Sequence, residues 1–316
     1  MKGGKIMALV TTKEMFKKAY EGGYAIGAFN INNLEIIQGV LRGAKAKNSA
    51  VILQCSTGAI KYAGAAYLKA MVDAAIEETG IDVALHLDHG PSLDAVKEVI
   101  DAGFTSVMFD GSHYDYEENV RLTKEVVEYA HSKGVVVEAE LGVLAGVEDD
   151  VVAAEHIYTD PEQAVDFVNR TGVDSLAIAI GTSHGAFKFP LDFKPQLRFD
   201  ILEEIQAKLP GFPIVLHGAS AVDPKAVETC NQYGGDIAGA KGIPVDMLRK
   251  ASGMAVCKIN MDTDLRLAFT AAVRKTFGDK PKEFDPRAYL GAGRNSVQST
   301  VESKIDEVLG SIDSMK

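Results

Sequence analysis

Three histidines in this chain are each followed at once by glycine: His89-Gly90, His184-Gly185 and His217-Gly218. Each pair closes an apolar run. Val83-Ala84-Leu85 leads into His86-Leu87-Asp88-His89-Gly90, residues 176–180 into Gly181-Thr182-Ser183-His184-Gly185, and Ile214-Val215-Leu216 into His217-Gly218-Ala219-Ser220. Three more runs end in polar residues: Asp110-Gly111-Ser112-His113, Glu138-Ala139-Glu140 and Asn260-Met261-Asp262-Thr263. Imidazole is the commonest biological zinc ligand, and three protein ligands with one open position make a catalytic site. Three neutral imidazoles leave the ion's charge uncompensated, so it stays a strong Lewis acid. Glycine after each ligand lets backbone or substrate approach closely. One histidine alone is more often a hydrogen-bonded packing residue; three at equivalent positions are what a metal site needs. His86, His113, His131 and His156 keep the ordinary reading, with His86 as a support inside the fold and His131 on a polar helix face.

A second chemistry is anion binding. Gly218-Ala219-Ser220 and Asn260-Met261-Asp262-Thr263 follow the seventh and eighth apolar runs and precede helical segments. Backbone N–H groups and small hydroxyls at such a turn cradle a phosphate without Lys or Arg. Ordinary turn and N-cap chemistry uses the same residues. Ser56-Thr57-Gly58 is a weaker instance.

The elements that must position these groups alternate along the chain. Strands are expected at 25–29, 51–54, 83–87, 106–109, 135–138, 175–180, 213–216 and 255–259. Helices are expected at 34–47, 65–78, 93–102, 117–132, 161–170 and 222–233, with Asp160-Pro161 as a strong helix start. Eight strands alternating with helices is the arithmetic of an α/β (β/α)8 TIM barrel, in which all strand ends meet on one face. An open doubly wound sheet fits the count too, yet no G-x-G-x-x-G or P-loop is present. Residues 295–314 read as an added C-terminal helix that serves a subunit contact. No Pro-, Gly- or Ser-rich linker interrupts the chain, so 1–316 is read as one domain.

Composition narrows the class further. The 316 residues are 47% hydrophobic and 24% charged, which fits an ordinary globular chain with a sizeable core. The net charge of −11 argues against nucleic acid or an anionic membrane as partner, and no apolar run approaches a spanning helix. Cys55, Cys230 and Cys257 are far apart and odd in number, as expected of reduced thiols in a cytoplasmic protein. The first residues, MKGGKIMALVTTKEMF, hold no secretory h-region.

Six motifs in order are similar to those of the class II, zinc-dependent fructose-1,6-bisphosphate aldolases: HLDHG (86–90), FDGSHYDYEEN (109–119), VEAELG to GVEDD (137–150), GTSHG (181–185), LHGAS (216–220) and KINMDTDLR (258–266). The likeness extends back to AFNINN at 28–33. It implies reversible aldol cleavage of fructose 1,6-bisphosphate to dihydroxyacetone phosphate and glyceraldehyde 3-phosphate, in glycolysis and gluconeogenesis. It implies His89, His184 and His217 as ligands of a catalytic Zn²⁺, and Asp88 as the proton donor and acceptor at the C4 hydroxyl. Glu148 matches the loop acid that moves the C3 proton. Asp110 and Glu140 match positions that hold a second, displaced divalent metal in some members. Gly185, Gly218, Ala219, Ser220, Asn260, Met261, Asp262 and Thr263 match the dihydroxyacetone-phosphate site, where a monovalent cation (Na⁺ or K⁺) is often used. Asn30 and Ser56 join the substrate-binding set. Arg266 resembles a residue offered by a neighbouring subunit to the second phosphate, which implies a homodimer or homotetramer. Asp262 stands where members acting on tagatose 1,6-bisphosphate usually carry Ala, favouring fructose. Ala145-Gly146-Val147 departs from the family's Gly-Gly pair, which bears on the hinge that carries Glu148.

Four other readings remain open to the same chain. A zinc hydrolase would take Asp88 as base and metal-bound water as nucleophile. A tagatose-1,6-bisphosphate aldolase would share every residue but the epimer contact, and a Schiff-base aldolase would use Lys258 on the eighth strand. A non-catalytic barrel with structural zinc would need a fourth ligand, and the sequence offers no obvious one.

Overall fold

The computed structural model describes residues 9–148, 151–153, 156–185, 189 and 193–316. Its strands are β1 (Ile26–Asn30), β2 (Val51–Ser56), β3 (Val83–Gly90), β4 (Ser106–Phe109), β5 (Val136–Leu141), β6 (Gly146–Glu148), β7 (Val151–Ala153), β8 (Ser175–Ile178), β9 (Ile214–Leu216) and β10 (Val256–Met261). Eight of them close into a barrel in the order β1-β10-β9-β8-β5-β4-β3-β2, with parallel ladders throughout. Closure through β1 and β10 (Ile26 opposite Lys258, Phe29 opposite Met261) decides for the (β/α)8 barrel over an open sheet. β6 and β7 form a separate antiparallel hairpin in the segment after β5.

Strand alternation sorts the barrel into two environments. Leu53, Leu85, Leu87, Val137, Ala139, Ile259 and Met261 point outward into the apolar layer shared with the helices. The inward residues begin with a floor of Ile26, Ala28, Ile52, Ala84 and Cys257, closed by Met15, Phe16 and Ala19 of helix Thr12–Gly22. Above that floor the inward positions turn polar: Gln54, His86, Glu138 and Lys258, and then Asn30, Asp88, Glu140 and Asn260, all buried. The sequence pattern keeps Gln54, His86, Glu138 and Lys258 within the expected strands and places Asn30, Asp88, Glu140 and Asn260 just after them. The ladder runs on to Gly90 in β3, Leu141 in β5 and Met261 in β10, so most of them lie within strands.

The C-terminal helix also differs from expectation. It spans Pro286–Lys304 rather than starting at 295, with Asp285 accepting the Arg287 N–H and Pro at its first position. It then widens into a π-helical turn, Ile305–Leu309. Helix Thr263–Asp279 packs antiparallel to it, with the Phe277 and Tyr289 rings 4.8 Å apart. The C-terminal helix also lies along helix Leu34–Ala46, where Gly39 and Gly43 face Arg294, Val297 and Val301. A Cβ on Gly39 would come within 2.8 Å of the Arg294 carbonyl oxygen.

That contact leaves no room for a side chain. Gly39→Val is expected to lower stability by about 1–3 kcal/mol through overpacking, more than the few tenths that helix propensity returns. A urea midpoint unchanged from wild type would contradict the close packing.

Candidate active site

His89 occupies a place that ordinary strand geometry would not give it. The β3–β4 register shifts between Leu87 and Gly90, and His89 takes a left-handed backbone conformation with φ of 47°. Such a bulge re-aims a side chain, and the strain is tolerated where surroundings enforce it. Gly90 permits it, since a Cβ there would lie 2.4 Å from the Met108 carbonyl oxygen. Gly218 does the same after β9: its φ is 57° and a Cβ would meet the Ser183 backbone at 2.5 Å. At Gly90 and Gly218 the glycine after histidine thus reflects close approach by neighbouring backbone.

The three imidazoles come together at the mouth. One ligand nitrogen from each of His89, His184 and His217 lies within 4.8 Å of the others, and all three residues are buried. Their ring centroids are 4.6 to 6.3 Å apart. Among the described residues no fourth ligand atom joins this group, as an open catalytic site requires.

The hydrogen bonds behind the rings fix their tautomers. His89 Nδ1 is 2.8 Å from Asp110 Oδ2, and His217 Nε2 is 2.7 Å from Glu138 Oε1. Burial raises the Asp110 pKa, but its contacts with His89 and Ser112 outweigh this and hold it well below the usual carboxylate range. Burial likewise opposes ionisation of Glu138, and the Lys258 charge with the His217 bond overcomes it. Ionised carboxylates only accept, so with both imidazoles neutral, the form that binds a metal, the N–H of His89 sits at Nδ1 and that of His217 at Nε2. The lone pairs left, on His89 Nε2 and His217 Nδ1, then face each other across 2.9 Å. Two acceptors at that separation repel unless a positive centre lies between them. The donor set therefore fits a metal ion such as zinc, and the carboxylates behind it are the partners that metal-bound histidines usually have.

Glu138 and Lys258 form a buried layer beneath. Lys258 Nζ is 2.8 Å from Glu138 Oε2 and 3.3 Å from His86 Nε2, and His86 Nδ1 is 2.8 Å from Ser106 Oγ. Burial, and then the Lys258 charge, keeps His86 well below the usual imidazole range. It is neutral and supports the site from inside the barrel, as expected. The Lys258 ammonium is spent on this ion pair, a poor starting point for a Schiff-base nucleophile. The sequence reading passed over Gln54 and named Glu138 only as part of a polar run end, with no role. The signal that finds them is the alternation Glu138-Ala139-Glu140 and Gln54-Cys55-Ser56, which turns both residues of each pair inward.

Asp88 is fully buried and accepts three amide hydrogen bonds: from Asn30 at 2.9 Å, Gln54 at 3.0 Å and Asn260 at 3.1 Å. The same Asn260 amide lies 3.2 Å from His217 Nδ1. One side chain thus links the carboxylate to the imidazole cluster.

The other expected positions divide. Glu140 Oε2 is 3.9 Å from His89 Nδ1, and His89, Asp110 and Glu140 form a second group with ligand atoms within 4.8 Å. Gly185 has φ of 85° beside His184, and Ser220 is buried beyond β9. Met261 and Ala219 do not face the mouth: both are in the outer apolar layer, so only their backbone is available to a substrate. Ser56 Oγ accepts the Ala59 N–H as a helix cap. Asp262 precedes helix Thr263–Asp279 and pairs with Arg266 at 2.7 Å. Arg266 stands over its own barrel, lining a cavity of about 430 Å³ with Asn32, Asn33, Ser56, Gly58, Ala59 and Tyr62. Glu148 is carried by β6, and its side chain lies outside the described residues. The hairpin that carries it is tied to the cluster, because the Ala145 carbonyl accepts the His184 N–H at 3.0 Å and the Ser183 hydroxyl at 2.6 Å.

Comparison with known proteins agrees with this geometry. The family model for class-II fructose-bisphosphate aldolase matches residues 10–314. Fructose-bisphosphate aldolase of Treponema pallidum (strain Nichols) is 52% identical, over 97% of this chain and 98% of that protein. The Thermus caldophilus fructose-bisphosphate aldolase is 51% identical, over 96% and 99%. The crystal structure of the YdjI aldolase from Escherichia coli K12 superposes with a TM-score of 0.78 at 30% identity, covering 98% of this chain and 100% of that one. The chain belongs to the class II fructose-bisphosphate aldolases, a family of zinc-dependent lyases.

The carboxylate behind His217 generates a prediction. Glu138→Gln should weaken zinc binding by about 10- to 100-fold, as loss of such partners typically does. Competition against a chromophoric chelator would measure it, and an unchanged affinity would contradict the tautomer argument.

Proposed function

We propose that this protein cleaves fructose 1,6-bisphosphate reversibly to dihydroxyacetone phosphate and glyceraldehyde 3-phosphate, as a glycolytic and gluconeogenic aldolase. The observation that carries the reading is the convergence of His89, His184 and His217, with Asp88 one amide away. A zinc ion held by these imidazoles supplies Lewis-acid polarisation of the ketose carbonyl. Asp88 takes the proton of the C4 hydroxyl as the C3–C4 bond breaks and returns it in condensation. Its three amide donors hold the carboxylate in one orientation for that transfer. Glu148, on the hairpin tied to His184, delivers the proton to C3. The turns at 218–220 and 260–263 bind the phosphate of the ketose half through backbone N–H groups, the Ser220 and Thr263 hydroxyls and Asn260. A monovalent cation beside that phosphate and a second divalent ion at His89, Asp110 and Glu140 complete the proposed set.

Asp262, with Arg266 clasping it, favours the fructose epimer. Arg266 and Ser56, lining one cavity, suit the second phosphate. A homodimer or homotetramer is proposed from the helical hairpin at the C-terminus, which leaves Phe277 and Phe284 exposed. The three cysteines are free and buried, with burial pushing the Cys257 thiol up to about 12, which suits a reducing cytoplasm. No helix among the described residues is long and apolar enough to cross a membrane.

Chelator treatment should abolish cleavage in a coupled assay and added Zn²⁺ restore it; activity after full metal removal would refute the proposal. Asp88→Ala should retain zinc and lose about 10²–10⁴-fold in turnover, the usual range for a proton catalyst. A loss of tenfold or less would remove Asp88 from that role. Asp262→Ala should narrow the preference for the fructose over the tagatose epimer; an unchanged ratio would place selectivity elsewhere.

A further inference from the structure

Beneath the two phosphate turns lies a buried ion pair to which the reaction scheme assigns no role. Asp264 follows Thr263 at the start of helix Thr263–Asp279, and Lys304 ends the C-terminal helix. Their side chains are 3.2 Å apart and almost wholly buried. The other Asp264 oxygen accepts the N–H of Ala221, the residue after Ser220, at 3.0 Å. One carboxylate therefore fastens the turn after β9 to the turn after β10. The far side of the first turn is held as well: the Ser220 carbonyl accepts the Ile243 N–H at 3.2 Å, and Gly242 packs so closely that a Cβ would lie 2.2 Å from Ala221.

Lys304 is itself fixed from below. The π turn after it bonds to the start of the barrel through the Leu309 carbonyl and the Ala25 N–H at 3.0 Å, and the Val308 carbonyl accepts the Ser252 hydroxyl at 2.9 Å. Without this lysine, a buried carboxylate one residue from Thr263 would be uncompensated where a phosphate dianion is to bind. Like charge and desolvation would both push the turns apart.

We propose that Lys304 is a positioning residue for phosphate binding: through Asp264 it sets the spacing of the turns at 218–221 and 260–263. This rests on the reading of those turns as the phosphate cradle. The lysine touches no reacting atom, so its effect falls on recognition of a phosphate monoester rather than on the metal.

The test uses the zinc-loaded enzyme, with dihydroxyacetone phosphate and its phosphate-free counterpart dihydroxyacetone as calorimetric probes. Lys304→Met should weaken dihydroxyacetone phosphate about tenfold or more, as expected for breaking a buried ion pair. Zinc content and dihydroxyacetone binding should stay unchanged. Lys304→Arg should stay near wild type. If Lys304→Met does not fold, the double variant Asp264→Asn with Lys304→Met decides. It lacks the stranded charge and keeps an oxygen for Ala221, so it should bind dihydroxyacetone phosphate near the wild-type level. Unaltered phosphate binding in Lys304→Met, equal weakening of both probes, or a double variant that still binds tenfold worse would each overturn the proposal. A wild-type enzyme that prefers neither probe would instead sink the phosphate reading itself.

Discussion

The interaction on which this site depends is the repulsion between two imidazole lone pairs. Asp110 and Glu138, buried and ionised, each take the N–H of a histidine, so His89 Nε2 and His217 Nδ1 meet as acceptors 2.9 Å apart. A barrel interior has little water to relieve that contact, and a cation answers it directly. His184, which follows the neighbouring strand β8, completes the set. The carboxylates behind the rings thus do two jobs, orienting each imidazole and making the centre attractive only to positive charge.

The rest of the barrel can be understood as the means of keeping that arrangement at the mouth. A period of two sends Leu85 and Leu87 outward while His86 and Asp88 face in, and the apolar floor under them carries no polar group to mislead the register. Lys258 occupies the layer between, where its charge keeps Glu138 ionised although both are fully buried. Removing either partner would strand the other in a low-dielectric interior, so the layer tolerates only concerted change. The helical hairpin at the C-terminus is part of the same scheme, since it brings Lys304 to Asp264 at the base of the turns at 218–221 and 260–263.

Much of this was legible in the chain. The alternation of β-branched runs with amphipathic segments announced the barrel, and the His-Gly pairs announced the cluster. Other features were hidden for physical reasons. Glu138 and Gln54 end the runs read as strands at 135–138 and 51–54, and only knowing which face points inward separates them from Val137 and Cys55. Met261 lies within a motif but faces the outer core, because motif membership says nothing about side-chain direction. The start of the last helix was carried by Asp285-Pro286, the same signal as Asp160-Pro161, but Tyr289 to Arg294 lack a clear apolar stripe.

The most direct test of the central claim is zinc K-edge X-ray absorption of the metal-loaded protein. The account predicts three imidazole nitrogens at about 2.0–2.1 Å, multiple-scattering features of histidine rings and no sulfur shell. A first shell of oxygens alone, or one containing thiolate at about 2.3 Å, would contradict it.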